Sequence, residues 1–530
     1  MAEERRGGGR GREGGSGTGG GRGRGGGGGE RRGGGGGERR GGGRGRRGGP
    51  GGSGPDDGGE GRGRGGRRGA RGGERGRQPS GGRGRPGPRR EPPRRGRPTG
   101  EVARRPAAPP DPATEEAARR RAATAARLAE LDEVEVEIEK LVAGGDGLGR
   151  VDGIPFFVPR SAPGDRLRVR LVERRPDYAR AEIVEVLAPG PGRREPPCPY
   201  FDRCGGCDLQ HMEDGLQLRL KTAAALETLV RLGGVDLPEP EVVAGGAWAY
   251  RLRTQLHTRG EGDAVEVGYF ERGSRELVAV AACPILVPEL ESLLPDLPGQ
   301  LAEKAPRRLD LAAGGRAGIS LPPDDPAVGQ VTTAPVVPGL PHGEIALEVP
   351  DPGGGEPLTY AFDARVFFQA HRELVAELVA RAVGPWEGEE AFDLYAGVGL
   401  FALPLARRHR RVVAVEGDAP AARYARINAR RNRLPNVEVE RLALDAWIGQ
   451  LPAAADRAVV DPPRGGLSRK VRAVLLERRP HRLTYVSCHP AVLARDLRFL
   501  SQVYRVESLA VLDMFPQSGH VETVAQLVPA

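Results

Sequence analysis

The five cysteines of this 530-residue chain divide four to one. Cys198, Cys204 and Cys207 crowd into CPYFDRCGGC, and Cys283 follows in AACPIL. Four thiolates can close around zinc or around an iron–sulfur cluster, and their spacing does not decide between the two. Cys488 stands apart in YVSCHP, after an apolar run. A lone cysteine usually packs as a small apolar side chain. Cys488, however, ends a strand just before His489 and Pro490, at the edge where ligands bind in parallel sheets. A thiolate there is a candidate nucleophile for an electron-poor carbon, if the site can shift it from an ordinary pKa near ~8.5.

Two further stretches carry ligand chemistry. In DLYAGVGLF a strand ends at Asp393, and Gly397 and Gly399 let backbone approach a ligand closely. Glu416 closes the next strand, in VVAVEGD, where a carboxylate can accept bonds from two ribose hydroxyls. No complete G-x-G-x-x-G follows, so a pyrophosphate cradle is poorly supported. A nucleoside cofactor without pyrophosphate, S-adenosylmethionine, fits better than NAD. Asp461 follows the apolar run AVV in DPPRGG and falls on the same sheet edge. Arg464 stands where the related DPPY of adenine-N6 methyltransferases has a stacking aromatic, which argues against that chemistry.

The elements that must position these residues are legible in outline. Residues 1–112 are Gly, Arg and Pro with almost no large apolar side chains, a composition expected to be disordered. Residues 1–110 hold 29 arginines against 11 acidic residues, so the +10 net charge belongs to this tail and the remainder is acidic. A polyanion such as RNA is its natural partner. Residues 113–130 read as a connecting helix. EVEVEIEKLV, IPFFVP, DRLRVRLVER and ARAEIVEVL are strands separated by Gly-rich turns, predicting a small OB-type β-barrel over 131–190. Residues 191–360 mix the cysteines with a helix around LQLRLKTAAALETLVRL, as an α+β domain. From about 361 a β-α-β rhythm predicts a doubly wound, mostly parallel α/β sheet to residue 530. The fold class is therefore multidomain. The N-terminus lacks the apolar core of a signal peptide and no long apolar run appears, so a cytoplasmic protein without a membrane span is expected.

The ordered motifs EVEIEKLVAGGDGLGRVDG, CPYFDRCGGCDLQH with Cys283, VFFQAH, DLYAGVGLF, DPPRGG, YVSCHP and DMFPQSGHVETVAQL together resemble the RNA uracil-5-methyltransferases. Within that family the chain resembles the bacterial 23S ribosomal RNA branch, over roughly residues 130–530. The resemblance implies a TRAM domain, a Rossmann-like methyltransferase domain, a [4Fe-4S] cluster on Cys198, Cys204, Cys207 and Cys283, and S-adenosylmethionine as cofactor. By the same resemblance Gln369, Tyr395, Glu416 and Asp461 contact the cofactor, and Asp445 in LALDA lies near its adenine. Cys488 is the nucleophile and Glu522 in GHVETV the base. The implied substrate is a uridine in 23S ribosomal RNA, or alternatively in transfer RNA, with no obligate protein partner.

The residue types suit that chemistry. Uracil C5 is too poor a nucleophile to take a methyl from a sulfonium. Thiolate addition at C6 pushes electron density to C5, and a base then removes the C5 proton so that the thiolate can leave. The sequence also departs from the family pattern: His489 and His371 stand where asparagine is common, and Leu400 stands where an asparagine often follows the cofactor-loop glycines. These departures motivate a competing expectation, an RNA-binding or assembly factor with a degenerate catalytic domain. Cytosine-C5 methylation is the weaker enzymatic alternative, because the Pro463–Arg464 stretch holds no second cysteine.

Overall fold

A computed structural model describes residues 112–316 and 330–530. The Arg/Gly tail expected over 1–112 lies, except for Pro112, outside the described residues. Helix α1 (Pro112–Ala129) is more than a connector. Its Leu128 is fully buried in the core of the barrel that follows, and the Leu128 carbonyl accepts a bond from Arg174.

The barrel is closed by β1 (Glu133–Leu141), β2 (Gly147–Val151), β3 (Ile154–Val158), β4 (Arg166–Arg174) and β5 (Ala179–Ala188), in the order β1-β2-β3-β5-β4. Period-two alternation drives it. On β4 Leu167, Val169 and Leu171 point inward while Arg166, Arg168 and Arg170 face solvent. Phe156, Val136 and Ile138 fill the interior, each such side chain contributing roughly 1.5–3 kcal/mol on burial.

Next comes α2 (Asp214–Thr228), which carries Asp214, Gln217 and Lys221 on the side that meets the C-terminal domain. Strand β6 (Glu241–Val243) follows, and the structure differs here from the sequence-based division. This segment leaves the central region and pairs parallel to a strand of the C-terminal sheet. Three residues are too short a run to display a period, so pairing alone reveals it.

A five-stranded sheet forms the body of the central domain, from β7 (Arg253–Arg259), β8 (Glu266–Phe270), β9 (Leu277–Ala279), β10 (Arg308–Ala313) and later β12 (Val331–Ala334). Two single-turn helices, α3 (Pro288–Glu291) and α4 (Leu297–Gln300), cover one side. Strands β11 (Gly315–Arg316), β13 (Ile345–Val349) and β14 (Leu358–Phe362) make a small second sheet.

The C-terminal domain is a three-layer α/β fold. Its strands are β15 (Gly388–Leu394), β16 (His409–Val415), β17 (Val437–Glu440), β18 (Arg457–Val460), β19 (Arg482–Ser487), β20 (Tyr504–Leu512) and β21 (Glu522–Pro529). The sheet order is β17-β16-β15-β18-β19-β21-β20-β6, with β15 to β19 parallel and β21 antiparallel to both neighbours. The central strands read as unbroken apolar runs because helices cover both faces, as the four buried residues Val412–Val415 illustrate. The helices are α5 (Leu374–Val383), α6 (Ala402–Ala406), α7 (Ala419–Arg431), α8 (Leu444–Trp447), α9 (Arg469–Arg478) and α10 (Pro490–Leu500). Asp418 caps α7 through the Ala421 N–H at 3.0 Å, and Ser468 caps α9 through Val471 at 3.1 Å. Pro490 starts α10, so Cys488 sits in the short turn between strand end and helix start. No helix among the described residues is long and apolar enough to cross a membrane.

Candidate functional site

The carboxyl ends of β15, β16, β18 and β19 open into one cavity of about 710 Å³. Just past the end of each strand stands one residue of the cavity lining: Tyr395, Glu416, Asp461 and Cys488. Strand β21 runs the other way, so its first residue, Glu522, meets the same cavity. Gln369 enters from the segment ahead of α5, its amide Nε2 reaching Asp461 Oδ2 at 3.5 Å.

The cofactor loop is shaped to be approached. Tyr395 has φ +71°, and Gly397 and Gly399 are also left-handed. For tyrosine that conformation is unfavourable and is held by the surroundings. Its N–H and that of Ala396 both bond the Val415 carbonyl. Glu416 Oε2 accepts from the Gly397 N–H at 2.8 Å and Oε1 from the Asp418 N–H at 2.6 Å, so its carboxylate ties the loop to the second strand. Beneath the loop, buried Asp393 accepts from the Ala402 N–H at 2.8 Å while its other oxygen finds no partner. Burial pushes the Asp393 carboxyl up to about 8.

The reacting end holds three acidic groups. Asp461 opens only to the cavity and is pushed up to about 7 by desolvation. Glu522 is 4 % exposed; burial first, and then the Asp461 carboxylate, raise it well above the usual range. Cys488 is pushed up to about 11 by burial and by the negative charges of Glu522 and Asp461, against the pull of the Arg464 guanidinium. The ligand-free cavity therefore favours neutral acids and a protonated thiol.

Five of the residues named from sequence for cofactor and catalysis thus meet Gln369 on one wall, apart from Asp445. That residue starts α8, is exposed, and lies outside the cavity lining, its carboxylate accepting from the Ser468 hydroxyl at 2.6 Å. The cavity also takes in Arg464, Phe367 and Phe515, which sequence reasoning did not assign. Their signal was positional: Phe367 precedes Gln369 by two residues, and Arg464 follows Asp461 by three. The departing residues fall into place. His371 is buried and stacks on Tyr250 at 4.7 Å, bonding the Gly246 carbonyl at 3.1 Å. Burial lowers it to about 4, so it is a neutral packing residue away from the cavity. Leu400 is buried and lines the cavity as an apolar wall.

The four remaining cysteines line a separate cavity of about 130 Å³ with Tyr200, Phe201 and Tyr269. All are free thiols, and Cys204 Sγ accepts from the Gly206 N–H at 3.4 Å. Burial raises all four, Cys207 to about 12 and Cys283 to about 11. Among the described residues no three His, Cys, Asp or Glu side chains are gathered as they would be around a single ion.

A Rossmann-like sheet with an acidic residue after its second strand, and a cavity at the carboxyl ends of its strands, fits a nucleoside-cofactor transferase. Comparison with known proteins narrows this. The sequence profile of the tRNA (uracil-5-)-methyltransferases matches residues 452–528, that of the TRAM domain 129–184, and that of the TRM5/TYW2 methyltransferase domain 360–465. The chain is 35% identical over 424 residues to the 23S rRNA (uracil(1939)-C(5))-methyltransferase RlmD of Pectobacterium atrosepticum, covering 74% of this chain and 92% of that one. The RlmD of Pseudomonas putida is 33% identical over 428 residues, with coverage of 74% and 92%. Among solved structures, the tRNA (uracil-54, C5)-methyltransferase of Pyrococcus abyssi in complex with S-adenosyl-L-homocysteine superposes with a TM-score of 0.55 at 25% identity, covering 74% of this chain and all of that one. The chain belongs to the RNA uracil-C5 methyltransferase family, and its cofactor is S-adenosylmethionine.

Proposed function

We propose that this enzyme methylates C5 of a uridine in 23S ribosomal RNA through a transient bond between Cys488 and C6. One observation carries the reading: Cys488 and Glu522 share the wall of the cavity that also holds Tyr395, Glu416 and Asp461. The identity to 23S-specific relatives, with more than nine-tenths of their length covered, supports the choice of RNA.

The cofactor supplies an electrophilic methyl on a sulfonium. Glu416 suits the ribose hydroxyls, Tyr395 and Gln369 bound the pocket around it, and Asp461 offers a carboxylate to its positive charge. Cys488 adds to C6 as its thiolate, C5 of the resulting enolate takes the methyl as S-adenosylhomocysteine leaves, Glu522 accepts the C5 proton, and elimination expels the Cys488 thiolate and restores the C5=C6 double bond. The uridine must leave its stack to reach a cavity this deep in the domain. Replacing Cys488 by Ala tests the reading. Loss of 5-methyluridine from 23S RNA with retained cofactor binding is expected, and undiminished 5-methyluridine refutes it.

The four clustered thiols suit a [4Fe-4S] cluster better than zinc. A lone zinc needs four sulfurs about 2.3 Å from one point, whereas a cluster spreads its ligands around a cavity. Their free thiols, half-buried except for buried Cys207, and the amide donor to Cys204 fit such a group. Protein purified without oxygen should carry iron, sulfide and broad visible absorption; a colourless protein with stoichiometric zinc overturns this assignment.

A further inference from the structure

Glu522 ends a nine-residue loop, 513–521, that joins β20 to β21 and also carries Phe515 into the cavity. The methyltransferase domain does not hold this loop alone. The chain directly after Cys207 grips it first. The N–H groups of Asp208 and Leu209 both donate to the Gln517 carbonyl, at 2.8 and 3.1 Å, and Asp208 Oδ2 accepts from the Gly519 N–H at 3.1 Å. Helix α2 grips it next. Gln217 Nε2 donates to Gln517 Oε1 at 2.9 Å and Gln217 Oε1 accepts from the Gln517 N–H at 3.2 Å, while Gln517 Nε2 donates to Asp214 at 2.8 Å.

One turn on, buried Lys221 donates to Asp513 at 2.6 Å and to the Phe515 carbonyl at 3.2 Å. Tyr250 donates to the Pro516 carbonyl at 2.9 Å. The barrel completes the enclosure: a Cβ on Gly519 would lie 2.3 Å from the Gly144 carbonyl carbon in the β1–β2 turn. Gln517 itself is fully buried with φ +64°, a conformation that persists only because its surroundings impose it.

This is more restraint than a surface loop needs for folding, and every contact lies within nine residues of Glu522. A general base works only within hydrogen-bond reach of its proton, so small displacements are costly. We propose that Asp208, Gln217 and Lys221 are positioning residues for the proton-removal step, the chain that leaves the thiol site acting as the brace that aims Glu522. The inference rests on the reading of Glu522 as the base. It ties the cysteine cavity to catalysis through two consecutive residues, Cys207 and Asp208.

The test separates carbon–sulfur bond formation from proton removal. In RNA transcribed with 5-fluorouridine, thiolate addition and methyl transfer proceed, but C5 carries fluorine in place of a removable proton, so the protein stays bonded to C6. Full-length Asp208→Ala and Gln217→Ala are compared with the wild type on 23S RNA containing uridine or 5-fluorouridine, with S-adenosylmethionine present. Turnover on uridine should fall about tenfold, a fraction of the 10²–10⁴-fold a general base supplies. Trapping on 5-fluorouridine should stay within about twofold, and the covalent complex should accumulate on ordinary uridine. Hydrogen exchange across 513–521 should quicken. Asp208→Asn, which keeps an acceptor for the Gly519 N–H, should restore most of the turnover. Equal losses in trapping and turnover, or no change in either, overturn the brace. Gln217→Ala leaves the Asp208–Arg272 pair intact and decides the matter should Asp208→Ala fail to fold. A wild-type enzyme that is not trapped by 5-fluorouridine RNA while still methylating uridine sinks the covalent reading itself.

Discussion

Asp461 makes cofactor affinity a function of pH. In the ligand-free cavity its carboxyl titrates at about 7, against 3.8 for an unperturbed aspartate, because desolvation favours the neutral form. A bound sulfonium favours the anion. Binding below pH 7 must therefore expel a proton, and each pH unit costs about 1.4 kcal/mol, or tenfold in affinity. Between a plateau above pH 8 and pH 5 the dissociation constant for S-adenosylmethionine should rise by up to about a hundredfold. Calorimetry in buffers of different ionisation enthalpy reads both the affinity and the protons released. S-Adenosylhomocysteine, which has the same amino and carboxyl groups but a neutral sulfur, should show a much shallower slope. Asp461→Asn should flatten the S-adenosylmethionine curve and weaken binding at pH 8. Affinity constant within about twofold from pH 5 to 8, or an unchanged slope in Asp461→Asn, refutes the reasoning.

Other outcomes follow from the same cavity. Glu522→Gln should cut turnover by about 10²–10⁴-fold and leave RNA covalently attached through Cys488, visible as a slow band on denaturing gels. Cys488, pushed up to about 11, should react slowly with iodoacetamide; S-adenosylmethionine should speed that reaction relative to S-adenosylhomocysteine, because the sulfonium favours the thiolate. Burial pushes Asp393 up to about 8 in the fold, from 3.8, so the stability it contributes is fully present below about pH 4 and is lost progressively as pH rises from there to about 8. Asp393→Asn keeps an acceptor for the Ala402 N–H and should raise the melting temperature of cofactor-free protein by a few degrees at pH 9, by roughly half as much at pH 6, and hardly at all near pH 4.

What was legible in the sequence follows what a local pattern can encode. RLRVRLVER announces a half-buried barrel strand because alternation survives on a sheet with one wet face. The parallel strands announce themselves as Val-rich runs, and each places its ligand-facing residue one or two positions past the last apolar residue, which is why Glu416, Asp461 and Cys488 could be picked out. Strand β21 is buried at seven successive positions and has no period to read, so Glu522 was found through family resemblance. The segment 311–356 hid β12 and β13 among prolines and glycines. Asp445 lies outside the cavity lining but near enough to raise the Tyr395 hydroxyl, and its carboxylate accepts from Ser468, the cap of α9, a pairing that no local pattern encodes. The Lys221–Asp513 pair joins residues 292 positions apart, a separation at which no periodicity speaks.

Three acidic groups share one cavity, where the Asp461 and Glu522 carboxylates raise Cys488 and Asp461 raises Glu522. Desolvation raises all three, and at the sulfur this favours the less reactive thiol. That lower reactivity has a use. A free thiolate in an open RNA-binding cleft would be open to oxidation and stray alkylation. On the proposed covalent mechanism, the two carboxyls beside the sulfur make its thiolate depend on the positive charge of the methyl donor. Arg464 supplies a partial version of that charge at all times, at the cavity rim and on the side of Cys488 and Glu522, which it favours in their ionised forms. Arg464 thus acts on Cys488 and Glu522 against the pull of burial, while buried Leu400 adds apolar surface to the same cavity.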